Sequence, residues 1–164
     1  MERQSLFILT GASKGLGEAL KNHLVQLPNT MVIGVSRSPI KAEIRGDKIV
    51  VNVSSGAAVK IVDGWSGYSS SKAALNQMTM IAQQESDLKN LGFKMFALSP
   101  GIIDTPMQES IRAASQNEFS GLSKFQSFKD NGELSTPDEV AKKVLFLINN
   151  PSDFDGVLQD VRKF

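Results

Sequence analysis

The chain has 164 residues with no cysteine and one histidine, and its 18 basic and 17 acidic residues give a formal charge of +1. This composition excludes a disulfide framework and the usual ligand sets of zinc, so no metal is expected. The charges are well interspersed, which argues against nucleic acid or a membrane surface as a partner. No apolar run near Met1 is long enough for a signal peptide or a membrane span. We expect a single cytoplasmic domain over residues 1–164.

A strand, a glycine-rich turn and a helix are predicted in succession at the start of the chain. The apolar run Leu6 to Leu9 is typical of a buried parallel strand, and leucines at helical spacing follow as far as Pro28. Between them, glycines at positions 11, 15 and 17 permit a tight turn and a close backbone approach. The start of the helix offers free N–H groups and a partial positive charge, so the segment predicts a pyrophosphate site.

A second strand is predicted over residues 31–36, and Arg37 follows it directly. In dinucleotide-binding folds an acidic residue at this point binds the ribose 2′-hydroxyl, whereas a basic residue accommodates a 2′-phosphate. Lys14, inside the glycine turn, is a second cation. The two cations favour NADP over NAD; the alternative is that both are ordinary solvated surface residues.

The connection to the next strand is unusually short. Only eleven residues, 37–47, precede the apolar run Lys48 to Val53, and they include Pro39 and Gly46. Parallel strands are usually joined by a crossover of about a dozen residues or more that contains a helix. An extended segment of this length reaches at most about 40 Å, which is enough to return along a strand and step sideways. Such a connection leaves no helix to cover that face of the sheet.

Three polar side chains form the strongest chemical pattern in the sequence. Ser55 follows the strand that ends at Val53, Tyr68 lies thirteen residues later, and Lys72 lies four residues beyond the tyrosine. A long helix is predicted from about Ser66 to Leu91, so Tyr68 and Lys72 should share one face near its start. An ammonium beside a phenol favours the phenolate, which suits a general acid that serves a carbonyl oxygen.

Two neighbouring features are open to more than one interpretation. The apolar flank of the long helix, which includes Leu75, Met78 and Ala82, is expected to face the core or a partner. Trp65, just before the tyrosine, either caps the core or forms a wall of a substrate pocket.

The rest of the chain predicts a strand over 93–98, a Pro-Gly turn, a short helix over 109–114 and a final strand over 156–161. The aromatic-rich residues 109–135 form either a mobile lid or an ordinary pair of surface helices. Thr136 and Glu139 have the spacing of a capping box, which begins another helix. Asp160, in the last strand, is a further candidate for a pocket residue.

Taken together, Ser55, Tyr68-x-x-x-Lys72 and the upstream turn Thr10 to Gly17 resemble the short-chain dehydrogenase/reductase family. The Gly-Trp pair before the tyrosine and the Asp-Thr-Pro-Met-Gln segment at 104–108 are most similar to its sepiapterin reductase and benzil reductase branch. The resemblance implies a Rossmann-like α/β fold, a doubly wound parallel sheet that binds NADP.

The resemblance also implies roles for individual residues. Ser55 would orient and polarise the substrate carbonyl, Tyr68 would donate the proton, and Lys72 would tune the tyrosine and hold the nicotinamide ribose. Trp65 would join Ser55 and Tyr68 in contacting the substrate. The full set implied to bind the cofactor is Thr10, Gly11, Ser13, Lys14, Gly15, Leu16, Gly17, Arg37, Tyr68, Lys72, Pro100, Gly101, Ile103 and Thr105.

Relative to the family, the chain lacks a central segment near residues 38–47. Family members carry there a third and a fourth strand with their helices, an Asn-Asn-Ala-Gly motif and half of a helix pair that forms dimers. The gap reflects either an internal deletion or a segment missing from the sequence as given.

The sequence therefore predicts an NADPH-dependent carbonyl reductase that acts on a ketone or diketone, with a possible homodimer through the helix after Tyr68. The alternative is a catalytically inactive, shortened family member that binds nucleotide at most or serves as a structural partner.

Overall fold

The computed structural model describes residues 5–12, 14–35 and 48–164. Within these ranges the chain forms five strands and five α-helices. The strands are β1 (Ser5–Thr10), β2 (Thr30–Val35), β3 (Lys48–Val53), β4 (Phe93–Ser99) and β5 (Leu158–Asp160). The helices are α1 (Gly15–Leu24), α2 (Ser66–Leu88), α3 (Pro106–Arg112), α4 (Leu122–Asp130) and α5 (Pro137–Asn149).

All described strand pairs are parallel, as the buried apolar runs predict. β1 pairs with β2, and β4 pairs with β3 on one side and with β5 on the other. Within the described ranges no ladder joins β1 to β3, so the strands lie in a two-stranded sheet and a three-stranded sheet. The predicted short connection over 37–47 lies outside the described residues.

One apolar core joins the two sheets. Phe96 and Leu98 of β4 are fully buried, and Ile49 and Val51 of β3 pack against the same cluster. The helices that complete this cluster are α1, through Leu20, and α5, through Val140, Ala141, Val144 and Leu147. Since α1 follows β1 directly, its packing on α5 attaches the two-stranded sheet to the three-stranded one.

Helix α2 covers the opposite face, because alternate residues of a strand point to opposite faces. Asn52 and Ser54, which alternate with Val51, bond to α2 through Thr79 and Asn76. With helices on both faces of a parallel sheet, the predicted Rossmann-like, doubly wound class is confirmed in shortened form.

The buried side of α2 is polar, and Met78 of its apolar flank is 55% exposed, so of the two expected surroundings for Met78, core or partner, the core does not apply and the partner stays a prediction. The buried residues of the helix are Asn76, Thr79 and Ser86. The physical reason is that α2 is attached to the strands by side-chain hydrogen bonds.

Gln83 and Ser86 of α2 bond to the backbone of β4 where the short β5 does not reach it. Gln83 donates to the Phe93 carbonyl at 3.0 Å and accepts from the Met95 N–H at 2.6 Å. The Ser86 hydroxyl accepts from the Phe93 N–H at 3.1 Å. On this side of β4, pairing with β5 begins only at Ala97, and the Ala97 N–H donates to the Val157 carbonyl. Gln83 and Ser86 take the place of a strand partner before that point.

Several predicted boundaries shift by a few residues. α2 ends at Leu88 rather than Leu91, because Asn90 and Gly92 have φ angles of 51° and 73°, which a helix does not permit. α3 begins at Pro106, not at residue 109, because proline is suited to the first position of a helix. The last strand is limited to 158–160. No helix in the described ranges is long and apolar enough to cross a membrane.

The predicted capping box of α5 is confirmed. The Thr136 hydroxyl accepts from the Glu139 N–H at 3.2 Å, and the Glu139 carboxylate accepts from the Thr136 N–H at 2.8 Å. The cap fixes the start of the helix that holds α1 and β4 in one core.

We expect the Thr136→Ala substitution to lower the free energy of unfolding by about 1 kcal/mol, because an N–H at the start of α5 loses its acceptor. Urea denaturation measures this change. Thr105→Ala is the matched control, since Thr105 also precedes a helix with proline at its start but makes no side-chain cap. Equal losses in the two variants would contradict the assigned role of the cap.

Candidate active site

The candidate site lies where the carboxyl ends of the parallel strands meet. A Cβ placed on Gly56, after β3, would lie 3.8 Å from the Ser99 hydroxyl at the end of β4. A Cβ on Gly15, after β1, would lie 3.6 Å from the Thr105 methyl group. The structure therefore brings the glycine turn, the Ser55 segment and the loop after β4 to one edge of the molecule.

Ser55 has one lone pair engaged and its hydroxyl proton available. It adopts an extended conformation and its hydroxyl accepts from the Ala57 N–H at 3.1 Å. Its carbonyl accepts from the Ala58 N–H at 3.0 Å. Because a hydroxyl has a donor in addition to its lone pairs, Ser55 retains a proton to donate to a carbonyl oxygen.

Lys72 brings a positive charge to the same strand end. Its Nζ donates to the Val53 carbonyl at 2.8 Å and lies 5.8 Å from the centroid of the Tyr68 ring. Partial burial lowers the pKa of Lys72 from its usual value, because desolvation disfavours the ammonium. Tyr68 lies one turn earlier on the same face of α2, as the spacing predicts. Ser55, Tyr68 and Lys72 are thus carried by one strand end and one helix.

The glycine turn has a backbone geometry that favours glycine at three positions. Gly11 and Gly15 have φ angles of 70° and 58°. A Cβ on Gly17 would lie 2.2 Å from the Gly11 carbonyl oxygen, so only glycine permits this close return of the chain. At the start of α1, Lys14 makes no side-chain cap, which leaves the first-turn N–H groups suited to an anion. These features fit the pyrophosphate of a dinucleotide.

Of the residues assigned to the cofactor, three lie partly or wholly outside the described residues and a fourth packs against the core. Leu16 packs against the core, which places only its backbone at the turn. The side chain of Thr10 and the whole of Ser13 and Arg37 lie outside the described residues. Sequence evidence alone therefore supports Arg37 as a contact for a 2′-phosphate.

The loop after β4 is held by backbone bonds to Ser135, which lies just before α5. Ser135 donates its N–H to the Ile102 carbonyl at 3.0 Å and accepts from the Asp104 N–H at 2.9 Å. The Ile103 side chain is buried in the core, so its contribution to a ligand site is limited to backbone groups. Beside Pro100, a Cβ on Gly101 would lie 3.5 Å from Val161, which places the C-terminal segment against this loop.

Asp160 is engaged by a neighbour. Arg162 donates to its carboxylate through Nε at 2.8 Å, and this side-chain hydrogen bond is the main reason why the pKa of Asp160 is lowered. The structure therefore gives Asp160 a structural partner in the turn that ends the chain.

A cleft of about 280 Å³ opens beside Trp65, whose ring contacts the ring of Tyr68. Trp65 lines it, and the Trp65 and Tyr68 rings meet edge to face with centroids 5.7 Å apart. The other lining residues are Gly64, Met107, Ser110, Ile111, Ala114, Glu118 and Phe119. Sequence reasoning missed Met107, Ile111 and Phe119; the helical spacing of the first two is the signal that α3 would present them together.

The aromatic-rich segment packs on Trp65. Its ring lies 5.8 Å from Phe119 and 5.2 Å from Phe125, centroid to centroid, and Phe125 lies 5.8 Å from Phe128. The rings thus join α4 and the segment before it to Trp65, and the two interpretations of residues 109–135 stay predictions. Trp65 is part of this cluster and also faces the cleft.

Asp63 attaches the loop before Tyr68 to this cluster. Its carboxylate accepts from the Ser120 N–H at 2.7 Å and from the Ser120 hydroxyl at 2.9 Å. These two bonds, the backbone one first, hold the pKa of Asp63 below its usual value. The loop before Tyr68 and the segment before α4 lie close together, since a Cβ on Gly64 would lie 2.4 Å from the Glu118 carbonyl oxygen.

The chain is similar to known proteins in sequence and in fold. Residues 44–116 match the short chain dehydrogenase family. The chain is 37% identical over 123 residues to benzil reductase ((S)-benzoin forming) of Bacillus subtilis, which covers 75% of this chain and 50% of that protein. It is 36% identical over 110 residues to diacetyl reductase ((S)-acetoin forming) of Staphylococcus aureus, with 64% and 42% covered.

A solved short chain dehydrogenase/reductase from Saccharomyces cerevisiae superposes with a TM-score of 0.76 at 20% identity, covering 97% of this chain and 96% of that chain. The fold is thus that of a shortened Rossmann-like α/β protein. The chain belongs to the short-chain dehydrogenase/reductase family, and it spans about half the length of the curated relatives it matches.

We expect the emission of Trp65, the only tryptophan, to report the Asp63 tether. A depressed carboxyl pKa means that the tether is intact above the ordinary carboxyl range and is lost as the pH falls through the depressed value. Asp63→Asn should shift the emission to longer wavelength at neutral pH and remove the acid transition that the wild type shows. Fluorescence between about pH 7 and pH 2 tests this.

The control is Asp153→Asn, which changes an exposed carboxylate away from Trp65. If Asp63→Asn and the control both behaved like the wild type, the tether would have no role in placing Trp65.

Proposed function

We propose that the chain is an NADPH-dependent reductase of ketones or diketones, in which residues 1–164 act as one cofactor-binding domain. The observation that carries the proposal is the arrangement at the end of β3, where Lys72 bonds to Val53 two residues before Ser55 and Tyr68 lies one helical turn from Lys72. Family membership supports an oxidoreductase with a nicotinamide cofactor.

The glycine turn would hold the cofactor pyrophosphate through the first-turn N–H groups of α1. Lys14, with Arg37, would bind the 2′-phosphate, which is the reason for naming NADPH rather than NADH. Tyr68, Lys72 and the loop containing Pro100, Ile103 and Thr105 would complete the nicotinamide side. When bound, the cofactor would supply the hydride for the carbonyl carbon.

The side chains of the site would transfer the proton and stabilise the substrate oxygen. The Tyr68 hydroxyl would donate its proton to the carbonyl oxygen, and the Lys72 ammonium would stabilise the charge left on the phenol ring. The Ser55 hydroxyl, with its acceptor side engaged by Ala57, would donate a hydrogen bond to the same oxygen. Together they would favour the negative charge that develops as the carbonyl is reduced.

The cleft supports a substrate with an apolar or aromatic group next to the carbonyl. Trp65, Met107, Ile111 and Phe119 line it, and its volume of about 280 Å³ suits a small organic molecule. The similar proteins named for benzil and diacetyl act on 1,2-diketones, which supports that class for this chain.

One observation favours the second candidate, an inactive protein that binds nucleotide at most. The described strands lie in two separate sheets, so β1 and its glycine turn lack a strand connection to β3 and Ser55. If this break displaces the turn, NADPH would bind without reacting.

We expect Tyr68→Phe to lower the rate of NADPH oxidation with benzil by about 100-fold or more, because the proton donor is removed. The substitution should weaken NADPH binding far less than it lowers the rate, because the other cofactor contacts remain, and it should leave the melting temperature nearly unchanged. Absorbance at 340 nm measures oxidation, and NADPH fluorescence measures binding.

The control is Trp65→Phe, which keeps an aromatic ring in the cleft and the full proton-transfer set. Wild-type binding without oxidation would support the inactive protein, and absence of binding would refute the reductase. Repeating the assay with NADH tests the preference for NADPH over NADH. Lys14→Ala should reduce the difference in affinity between the two cofactors.

We also infer a homodimer that forms through α2. Met78, Ile81 and Leu88 are 55%, 46% and 75% exposed and lie along one side of the helix at spacings of three and seven residues. Apolar side chains arranged in this way are typical of an interface.

For a subunit of 17.8 kDa, light scattering should give twice that mass for the wild type. Ile81→Lys should give a monomer, because a charge would enter the apolar interface. Val25→Lys is the control, since Val25 is 53% exposed but follows α1 instead of lying on α2. A wild-type monomer would rule out the homodimer.

A further inference from the structure

We propose that Ser54 and Asn76 are a positioning pair that holds Ser55 in place for the reaction. This inference rests on the proposed function, in which Ser55 binds the substrate oxygen. Neither Ser54 nor Asn76 has a place in the proposed proton transfer, yet both are buried beside the residues that do.

The bond between the two side chains is short and protected from water. The Ser54 hydroxyl donates to the Asn76 side-chain oxygen at 2.5 Å, and the two residues are only 3% and 9% exposed. A buried hydrogen bond of this kind is costly to break, because the amide oxygen left behind would have no water to replace its donor.

Two elements, β4 and α2, hold the backbone at Ser54 through three bonds. Its N–H donates to the Leu98 carbonyl of β4 at 2.7 Å, and its hydroxyl bonds to Asn76 of α2. The carbonyl immediately before it, that of Val53, accepts from Lys72 of α2 at 2.8 Å. The backbone that enters Ser55 is therefore fixed by β4 from one side and by α2 from the other.

The pair also sets the relation between Ser55 and Tyr68. Asn76 lies two helical turns beyond Tyr68 on the same side of α2, and Ser54 is the neighbour of Ser55 in the chain. A shift of α2 along β3 would move Tyr68 and Ser55 relative to each other, and displacements of about 1 Å can cost about 100-fold in rate. The Ser54–Asn76 bond resists that shift at the point nearest the chemistry.

The same interface contains a comparable pair farther from the site. Asn52 donates to the Thr79 hydroxyl at 2.9 Å, and Thr79 is fully buried. Thr79→Val and Ser54→Ala each remove one buried hydroxyl between β3 and α2. If the Ser54–Asn76 bond had only a structural role, the two substitutions would lower kcat equally. If it positions Ser55, Ser54→Ala would lower kcat more than Thr79→Val does.

We expect Ser54→Ala to lower kcat for diketone reduction by about tenfold or more, with the KM for NADPH changed less than about twofold. Thr79→Val should lower the melting temperature by a similar amount but leave kcat within about twofold. Ser54→Thr, which keeps a hydroxyl on the strand, should recover most of the lost kcat. If Ser54→Ala fails to fold, Asn76→Ala removes the same bond from the helix.

A second measurement needs no turnover. The Ala57 N–H donates to the Ser55 hydroxyl at 3.1 Å, so its hydrogen exchange reports how firmly Ser55 is held. In the full chain without cofactor, Ser54→Ala should speed this exchange at least about tenfold more than Thr79→Val does. Inactive wild-type protein would refute the proposed function, and the exchange comparison would still decide the positioning pair. Equal effects of Ser54→Ala and Thr79→Val on Ala57 exchange would overturn the positioning role of Ser54 and Asn76.

Discussion

The attachment of α2 to the strands by hydrogen bonds is the interaction on which the rest of the structure depends. Asn76 and Thr79 bond to β3, and Gln83 and Ser86 bond to β4. Apolar contacts would let a helix slide along a sheet at little cost, whereas directional bonds fix one register. Because α2 carries Tyr68 and Lys72, this register determines where the proton donor lies relative to Ser55.

The apolar core has a different function, which is to join the two sheets, between which no ladder forms in the part of the chain that the structure describes. α1 follows β1, and its Leu20 packs with the buried face of α5 against β4. Within the described residues, this packing and the side-chain bond of 2.6 Å between His23 of α1 and Asp138 of α5 place the glycine turn beside the loop that holds Thr105. Apolar packing has less directional definition than a strand ladder, so the nucleotide side of the site is less tightly specified than the Ser55 side.

Local signals account for what the sequence predicts well. β3 has its predicted bounds, Lys48–Val53, and the capping box of α5 forms as its spacing indicates, because neighbouring residues decide both. The apolar Met78 and the polar Asn76 were harder to place, since burial of α2 depends on strands distant in sequence. The cleft has the same limit: Phe119 reaches Trp65 only after α3 and the segment before α4 have folded back. Ser13 and Arg37 stay predictions from sequence.

The amide of Gln83 has a consequence for how this chain meets other chains. An exposed strand edge invites pairing with a foreign strand, and proteins commonly guard such edges with charge, proline or a bulge. Here one neutral side chain mimics a neighbouring strand, occupying the Phe93 carbonyl and the Met95 N–H at once. At these positions the backbone groups of β4 that β5 does not reach already have a partner, so a foreign strand would have to displace Gln83 to pair there.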